Sequence, residues 1–285
     1  MGELVGVHGV AKHRLGRHLL LRDWAPALAD GVERAAGRAV PVPDLDLAFY
    51  GDVFLPVGGT VSSGAKSGGG DDAELDGMDE AELAEVAEVL AESVSASDVA
   101  AAEAEVPKGY TRVPRPLQVL LRAVDRRFGA AAGVLYVGVL RQLRRYLTDP
   151  ELKATVDARV EAAIVGRCRV LIGHSLGSLV AYEYLRQHPG HSVQLLLTLG
   201  SPLGLRMVRS RLTVEPLPVP AWVNVRDLRD PVTCAGPLHT WWPQIGPAGD
   251  RIVDNGPDAH AAEGYLARET TGAVLLQALP HLADG

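Results

Sequence analysis

The chain has 285 residues, 47% of them hydrophobic, with 28 Lys and Arg against 35 Asp and Glu and a net charge of −7. That length and apolar content support one substantial core, and an acidic balance gives no ground for a nucleic-acid partner. Two cysteines, Cys168 and Cys234, are too few for a disulfide framework and are expected to stay reduced, without a catalytic role. The start, Met1 to Val7, carries an acidic residue and no basic, apolar leader pattern, so cytoplasmic residence is expected.

Leu4-Val5-Gly6-Val7 reads as a first buried strand ending at His8-Gly9. A helix is predicted from about Arg17 to Ala36, with Leu20, Leu21, Trp24, Leu28 and Val32 on one face. Residues 45–50 form a second strand. Val57 to Gly70 then holds six glycines and three serines, the composition of a flexible linker, here bounded at 57–78. Asp79-x-x-Glu82 has the spacing of a helix cap, and Leu83, Val86, Leu90 and Val94 follow as an apolar stripe. A basic amphipathic helix is expected from Leu117. The apolar run Gly129–Leu140 is twelve residues long, short of the roughly twenty that cross a bilayer. It reads as a buried helix or a lid, while its flanking arginines (Arg126, Arg127, Arg141, Arg144, Arg145) leave peripheral membrane contact open.

Charge is sharply segregated across this region. Thirteen acidic residues and no basic one lie between Asp71 and Glu105, and nine basic residues against one acid lie between Lys108 and Arg145. Such blocks form either solvated helix faces or an acidic segment folded over a basic surface, and they leave a protein partner open.

From Pro150 a helix runs to about Ile164. Strands follow at Cys168–Ile172, Val193–Leu199, Ala221–Val225 and Arg251–Val253, and a last helix begins near Glu263. Short apolar strands alternating with helices predict an α/β fold with a doubly wound, mostly parallel sheet. The chain divides accordingly into core at 1–50, an insertion at 51–149 with a helical lid or cap candidate at 79–147, and the rest of the core at 150–285.

Gly173-His174-Ser175-Leu176-Gly177 places a serine between a buried strand and a helix. So tight a corner strains its central residue and requires small neighbours two positions either side. A serine hydroxyl needs a base, and the base needs an orienting acid. Five histidines follow Ser175. His188 and His191 fall about 20 Å away at the far end of the helix, and His281 lies in the tail. Of His239 and His260, His260 sits in the loop between the last strand and the last helix, where the base belongs. Asp230 in the loop after Ala221–Val225 is the acid assigned, with Asp227 as the alternative. The backbone N–H groups of Val10 and Leu176 are the candidate oxyanion donors. His8 reads as structural; His8, His174, Trp241 and Trp242 are candidates for lining a substrate pocket.

These residues resemble the α/β-hydrolase superfamily: Val7-His8-Gly9 its oxyanion strand end, Gly173 to Gly177 its elbow, Asp230-Pro231-Val232 its acid loop and His260 its base loop. Thr198-Leu199-Gly200-Ser201-Pro202-Leu203-Gly204 is similar to lipase-like members, including the group that deacylates lipid anchors. Similar bacterial sequences carry the labels serine peptidase or hydrolase. The resemblance implies Ser-His-Asp chemistry without metal or organic cofactor on a small-molecule or acyl substrate. An ester or thioester is expected, with a peptidase, amidase or acyltransferase on the same triad as the rival. A partner-regulated or inactive scaffold is the reading of another class.

Overall fold

The computed structural model describes residues 2–10, 15–55, 78–105, 113–164 and 166–284. The linker expected at 57–78 therefore lies, except for Met78, outside the described residues.

Six strands, β1 (Leu4–Val7), β2 (Leu45–Ala48), β3 (Val170–His174), β4 (Leu195–Leu199), β5 (Ala221–Asp227) and β6 (Asp250–Val253), form one sheet in the order β2-β1-β3-β4-β5-β6. Every pairing is parallel, with Val7 opposite Gly173 and Leu199 opposite Val225. The aliphatic runs have this outcome because a parallel sheet is covered on both faces. Leu4, Leu45, Leu47, Val170, Ile172, Leu195 and Leu197 point into one apolar cluster. The alternate residues Val5, Val7, Leu171 and Leu196 point into the other.

The first face is covered by α1 (Arg17–Ala36), α10 (Ala262–Leu266) and α11 (Glu269–Ala278). α1 buries Leu20, Trp24, Leu28 and Val32 and stops at Gly37, whose φ of +68° is the left-handed conformation of a helix C-cap. The single closing helix expected from Glu263 is two helices, because Arg268 between them is extended.

The second face carries α2 (Glu80–Ser93), α4 (Arg115–Phe128), α5 (Ala132–Thr148), α6 (Pro150–Ala163) and α7 (Leu176–Gln187), and α3 (Ala96–Glu105) packs on α4 in a small cluster of Ala102, Val119 and Ala123. The predicted cap is present, with the Asp79 carboxylate accepting the Glu82 N–H at 2.7 Å. Asp149 caps α6 in the same way, with Pro150 in its first turn. The run Gly129–Leu140 enters α5, and Tyr136, Val137, Val139 and Leu140 are buried in the same cluster as α7 and the sheet. Among the described residues no helix is long and apolar enough to cross a membrane. The second strand ends at Ala48, two residues earlier than predicted, and residues 51–54 form a 3-10 turn. Two short helices complete the chain, α8 (Arg206–Arg209) and α9 (Gly246–Gly249).

The acidic and basic blocks meet. Nine ion pairs among the described residues join α2 and α3 to α4, α5 and the α8 region, including Arg115–Glu103, Arg122–Glu105, Arg127–Asp98, Arg144–Glu85 and Arg206–Glu92. Most are exposed, where a pair contributes about 0–1 kcal/mol. Burial of Val86, Val89 and Leu90 from α2 outweighs any one of them, at about 1.5–3 kcal/mol for each side chain. Of the five arginines flanking the apolar run, four pair with these acids and Arg145 lies over the Phe54 ring.

Candidate catalytic site

β1 and β3 are neighbours whose connections leave to opposite sides of the sheet, so their carboxyl ends flank the switch point where such sheets bind ligands. Ser175 sits there. β3 ends at His174 and α7 starts at Leu176, which leaves the serine as a one-residue corner at φ +53°, ψ −128°. Only one other non-glycine among the described residues, Ala131, has positive φ. Such a conformation costs about 1–3 kcal/mol and persists only where its surroundings enforce it. They do so here: the Ser175 N–H donates to the Leu199 carbonyl at 3.0 Å. A Cβ on Gly177 would lie 2.0 Å from the Val7 carbonyl oxygen, so only glycine lets α7 start against β1. The loop after β1 is equally close, since a Cβ on Gly9 would lie 2.6 Å from the Ser175 Cβ.

Asp230 and His260 come together across 30 residues of sequence, with His260 Nδ1 and Asp230 Oδ2 2.8 Å apart. Asp230 is fully buried and caps the 3-10 turn Pro231–Thr233, its Oδ1 accepting the Val232 N–H at 2.9 Å. Its Oδ2 also accepts the Tyr265 hydroxyl at 2.8 Å. A carboxylate on Nδ1 fixes the imidazole proton there and leaves Nε2 with a lone pair. Ser175 Oγ and His260 Nε2 are both buried, and neither has a hydrogen-bond partner among the described residues. An unpartnered buried polar atom costs about 1–3 kcal/mol, so both are held at a cost to stability.

The remaining histidines after Ser175 are held elsewhere. His239 binds Asp250 at the amino end of β6 through Nδ1 at 2.8 Å and its N–H at 2.6 Å. His188 donates to the Tyr184 carbonyl at the end of α7, His191 Nδ1 accepts the Val193 N–H at 3.2 Å, and His281 pairs with Glu3. Asp227, the alternative acid, accepts the Asn255 N–H at 2.5 Å and the Arg229 N–H at 2.7 Å, tying the loops after β5 and β6 together.

Val10 and Leu176 follow the two residues that touch at Gly9 and Ser175, and the Leu176 N–H is among the first of α7, which have no acceptor within the helix. His8 is a structural pin: its Nδ1 donates to the Gly9 carbonyl, its Nε2 accepts the Tyr50 N–H at 3.1 Å, and its ring stacks on Tyr50 at 4.2 Å. His174 is engaged beneath the site, donating from Nε2 to the His260 carbonyl at 2.8 Å with the two rings 4.8 Å apart. It supports the base loop. The tryptophans split: Trp242 is a core residue against Tyr182 and Trp222, and Trp241 is half-exposed beneath the Arg209 guanidinium, 3.5 Å above its ring. Among the described residues no ring contact or hydrogen bond joins either indole to Ser175, His260 or Asp230.

Two contributors escape sequence reasoning. Tyr265 carries no motif, and its only signal is a hydroxyl five residues beyond the base, on the helix that begins at Ala262. Gly200, at φ +54°, lies below the acid and base, where a Cβ would fall 2.9 Å from Asp230 Oδ2 and 3.2 Å from His260 Nδ1. Burial pushes the Cys168 thiol up to about 12 and the Cys234 thiol up to about 11, so neither offers a thiolate near neutral pH. Among the described residues no three His, Cys, Asp or Glu side chains gather as metal ligands. The arrangement has the parts for acyl transfer: a hydroxyl, an imidazole with a free lone pair, an orienting carboxylate and nearby amides. No protein-family model, no curated protein and no solved structure matches the chain.

Proposed function

We propose that the chain is a serine hydrolase of the α/β-hydrolase kind, cleaving an ester or thioester through an acyl-enzyme. One observation carries this reading: the strained, buried Ser175 shares the carboxyl edge of the sheet with a buried Asp230–His260 pair, in the chain order Ser, Asp, His. Ser175 Oγ attacks the acyl carbon as its proton passes to His260 Nε2. The oxyanion then accepts the Leu176 and Val10 N–H groups, each such donor being worth about 3–4 kcal/mol. Collapse expels the alcohol or thiol, which takes the proton from His260, and water repeats the sequence to release the acid. Asp230 keeps the Nδ1 proton in place and stabilises the imidazolium.

An apolar acyl group is favoured by what borders the catalytic loops. Val10, Leu176, Leu203 and Val232, each within three residues of a site residue, all belong to one apolar cluster with Tyr136 of α5. Ser175 is fully buried, so its surroundings shift before a substrate reaches it.

A fluorophosphonate probe tests the reading: native protein is labelled, and Ser175→Ala is not. Absence of labelling, or equal labelling of the variant, rejects it. A series of p-nitrophenyl esters run beside peptide substrates then separates esterase from peptidase, with turnover of peptides alone refuting the ester assignment.

A further inference from the structure

Asp230 has more donors than a triad requires. Its Oδ2 is shared by His260 Nδ1–H and the Tyr265 hydroxyl, each at 2.8 Å. The direction of the phenolic proton is fixed. The Asp227 N–H can only donate, and it does so to the Tyr265 oxygen at 2.9 Å, which leaves the hydroxyl proton for Asp230. Burial and the neighbouring Asp230 carboxylate hold the phenol far above its ordinary value, so it remains a donor at every working pH.

The placement is built in at several levels. α10 begins two residues after His260, so base and phenol travel on one short unit that packs on α1. Thr271 Oγ1 donates to the Tyr265 carbonyl at 2.7 Å and pins the end of that unit. Below them a Cβ on Gly200 would lie 2.9 Å from Asp230 Oδ2 and 3.0 Å from the Tyr265 ring, so the three groups converge over a position with no room for a side chain.

We propose that Tyr265 is a positioning residue that sets the basicity of His260 through Asp230. The proposal rests on the Ser175–His260–Asp230 assignment above. Two donors on one carboxylate oxygen compete for its charge, so an oxygen already engaged by the phenol stabilises an imidazolium less. The phenol thus weakens the hold of Asp230 on an imidazolium, and it also prevents the carboxylate from turning away. A purely structural tyrosine would satisfy its own hydroxyl without affecting His260.

The test is an NMR titration of the His260 imidazole in the full chain, read beside the acid limb of kcat/KM. Tyr265→Phe removes one donor, so the His260 titration should move to higher pH, and the acid limb should move with it in the same direction. Replacing Tyr265 with 3,5-difluorotyrosine keeps the shape and strengthens the donor, and should move both in the opposite direction. This second variant carries the test if Tyr265→Phe does not fold. Thr271→Val removes a different hydrogen bond of the same residue and should lower Tm while the titration stays in place. An unmoved His260 in both tyrosine variants overturns the proposal, as does an equal shift in Thr271→Val. Fluorophosphonate labelling of the native chain separates the two levels: labelling with an unmoved titration removes Tyr265 alone, whereas a moved titration without labelling removes the hydrolase reading and leaves the coupling.

Discussion

Asp230→Asn isolates the group on which the proposed chemistry turns. The carboxylate accepts on both oxygens, Oδ1 from Val232 N–H and Oδ2 from His260 and Tyr265. An amide has one acceptor oxygen and one NH2 group. With the NH2 toward His260, it meets the phenolic proton and drives the imidazole to the tautomer whose Nε2 carries the proton. With the oxygen toward His260, the NH2 meets the Val232 N–H. Either orientation opposes donor to donor in a fully buried place, at a stability cost of about 1–3 kcal/mol. The wrong tautomer, with no charge to stabilise the imidazolium, lowers kcat by about 10⁴, as removing the acid does in serine-protease triads. Asp227→Asn is the matched control, since its carboxylate serves backbone N–H groups of Arg229 and Asn255. It should lose comparable stability and less than about tenfold in rate, because no hydrogen bond ties its carboxylate to His260. The assay is kcat/KM on p-nitrophenyl butyrate, normalised to fluorophosphonate-titrated sites, with Tm read in parallel. An Asp230→Asn enzyme within tenfold of native, or one more active than Asp227→Asn, would refute the assignment.

Gly200→Ala should cost about 1–2 kcal/mol from the left-handed backbone alone. It should also depress kcat/KM by about 10² through displacement of the Asp230–His260 pair, and native-like kinetics would show that the 2.9 Å approach is relieved without cost. Glu105→Gln breaks exposed pairs with Arg122 and Arg126 and should change urea-unfolding stability by less than about 1 kcal/mol, an effect that added salt erases. A loss above about 2 kcal/mol would mean that charge, and not apolar burial, holds α3 down. Burial raises the Glu183 carboxyl, but Arg186 and Lys153 together hold it below its ordinary 4.5. A lowered carboxylate stabilises the folded state fully above the unfolded value and progressively less as pH falls through the folded one. The stability gap between native and Glu183→Gln should therefore be widest near neutral pH and shrink below about pH 4.5, and a gap that widens in acid would contradict the pairing.

The order of strands and helices was legible because each element carries its own period. α1 starts and ends where its Leu20, Trp24, Leu28, Val32 stripe and Gly37 place it, and β1 coincides with Leu4–Val7. The corner at Ser175 was legible because the backbone there demands glycines, which few other arrangements require. β3 runs two residues further than its aliphatic run, since Gly173 and His174 extend the pairing up to the serine. Pairings over long separations were not legible. The charge blocks announced that α2 and α3 could meet basic helices, but not that Arg206 and Arg211, far along the chain, would join in. Trp242 resembled a pocket residue because a loop indole does not reveal which way it faces, and three-dimensional packing turns it toward Tyr182 and Trp222. Tyr265 lay beyond reach for the same reason, as its partner is 35 residues away and no local spacing encodes it.

The complete enclosure of Ser175 has a kinetic consequence under the proposed chemistry. An acylating reagent meets a molecule that first opens, so the observed rate of inactivation rises with reagent concentration and then levels off at the opening rate constant. Deacylation waits on the same event, because the attacking water has to be admitted as well. Enclosure therefore ties the lifetime of the acyl-enzyme to the frequency with which the buried serine becomes accessible.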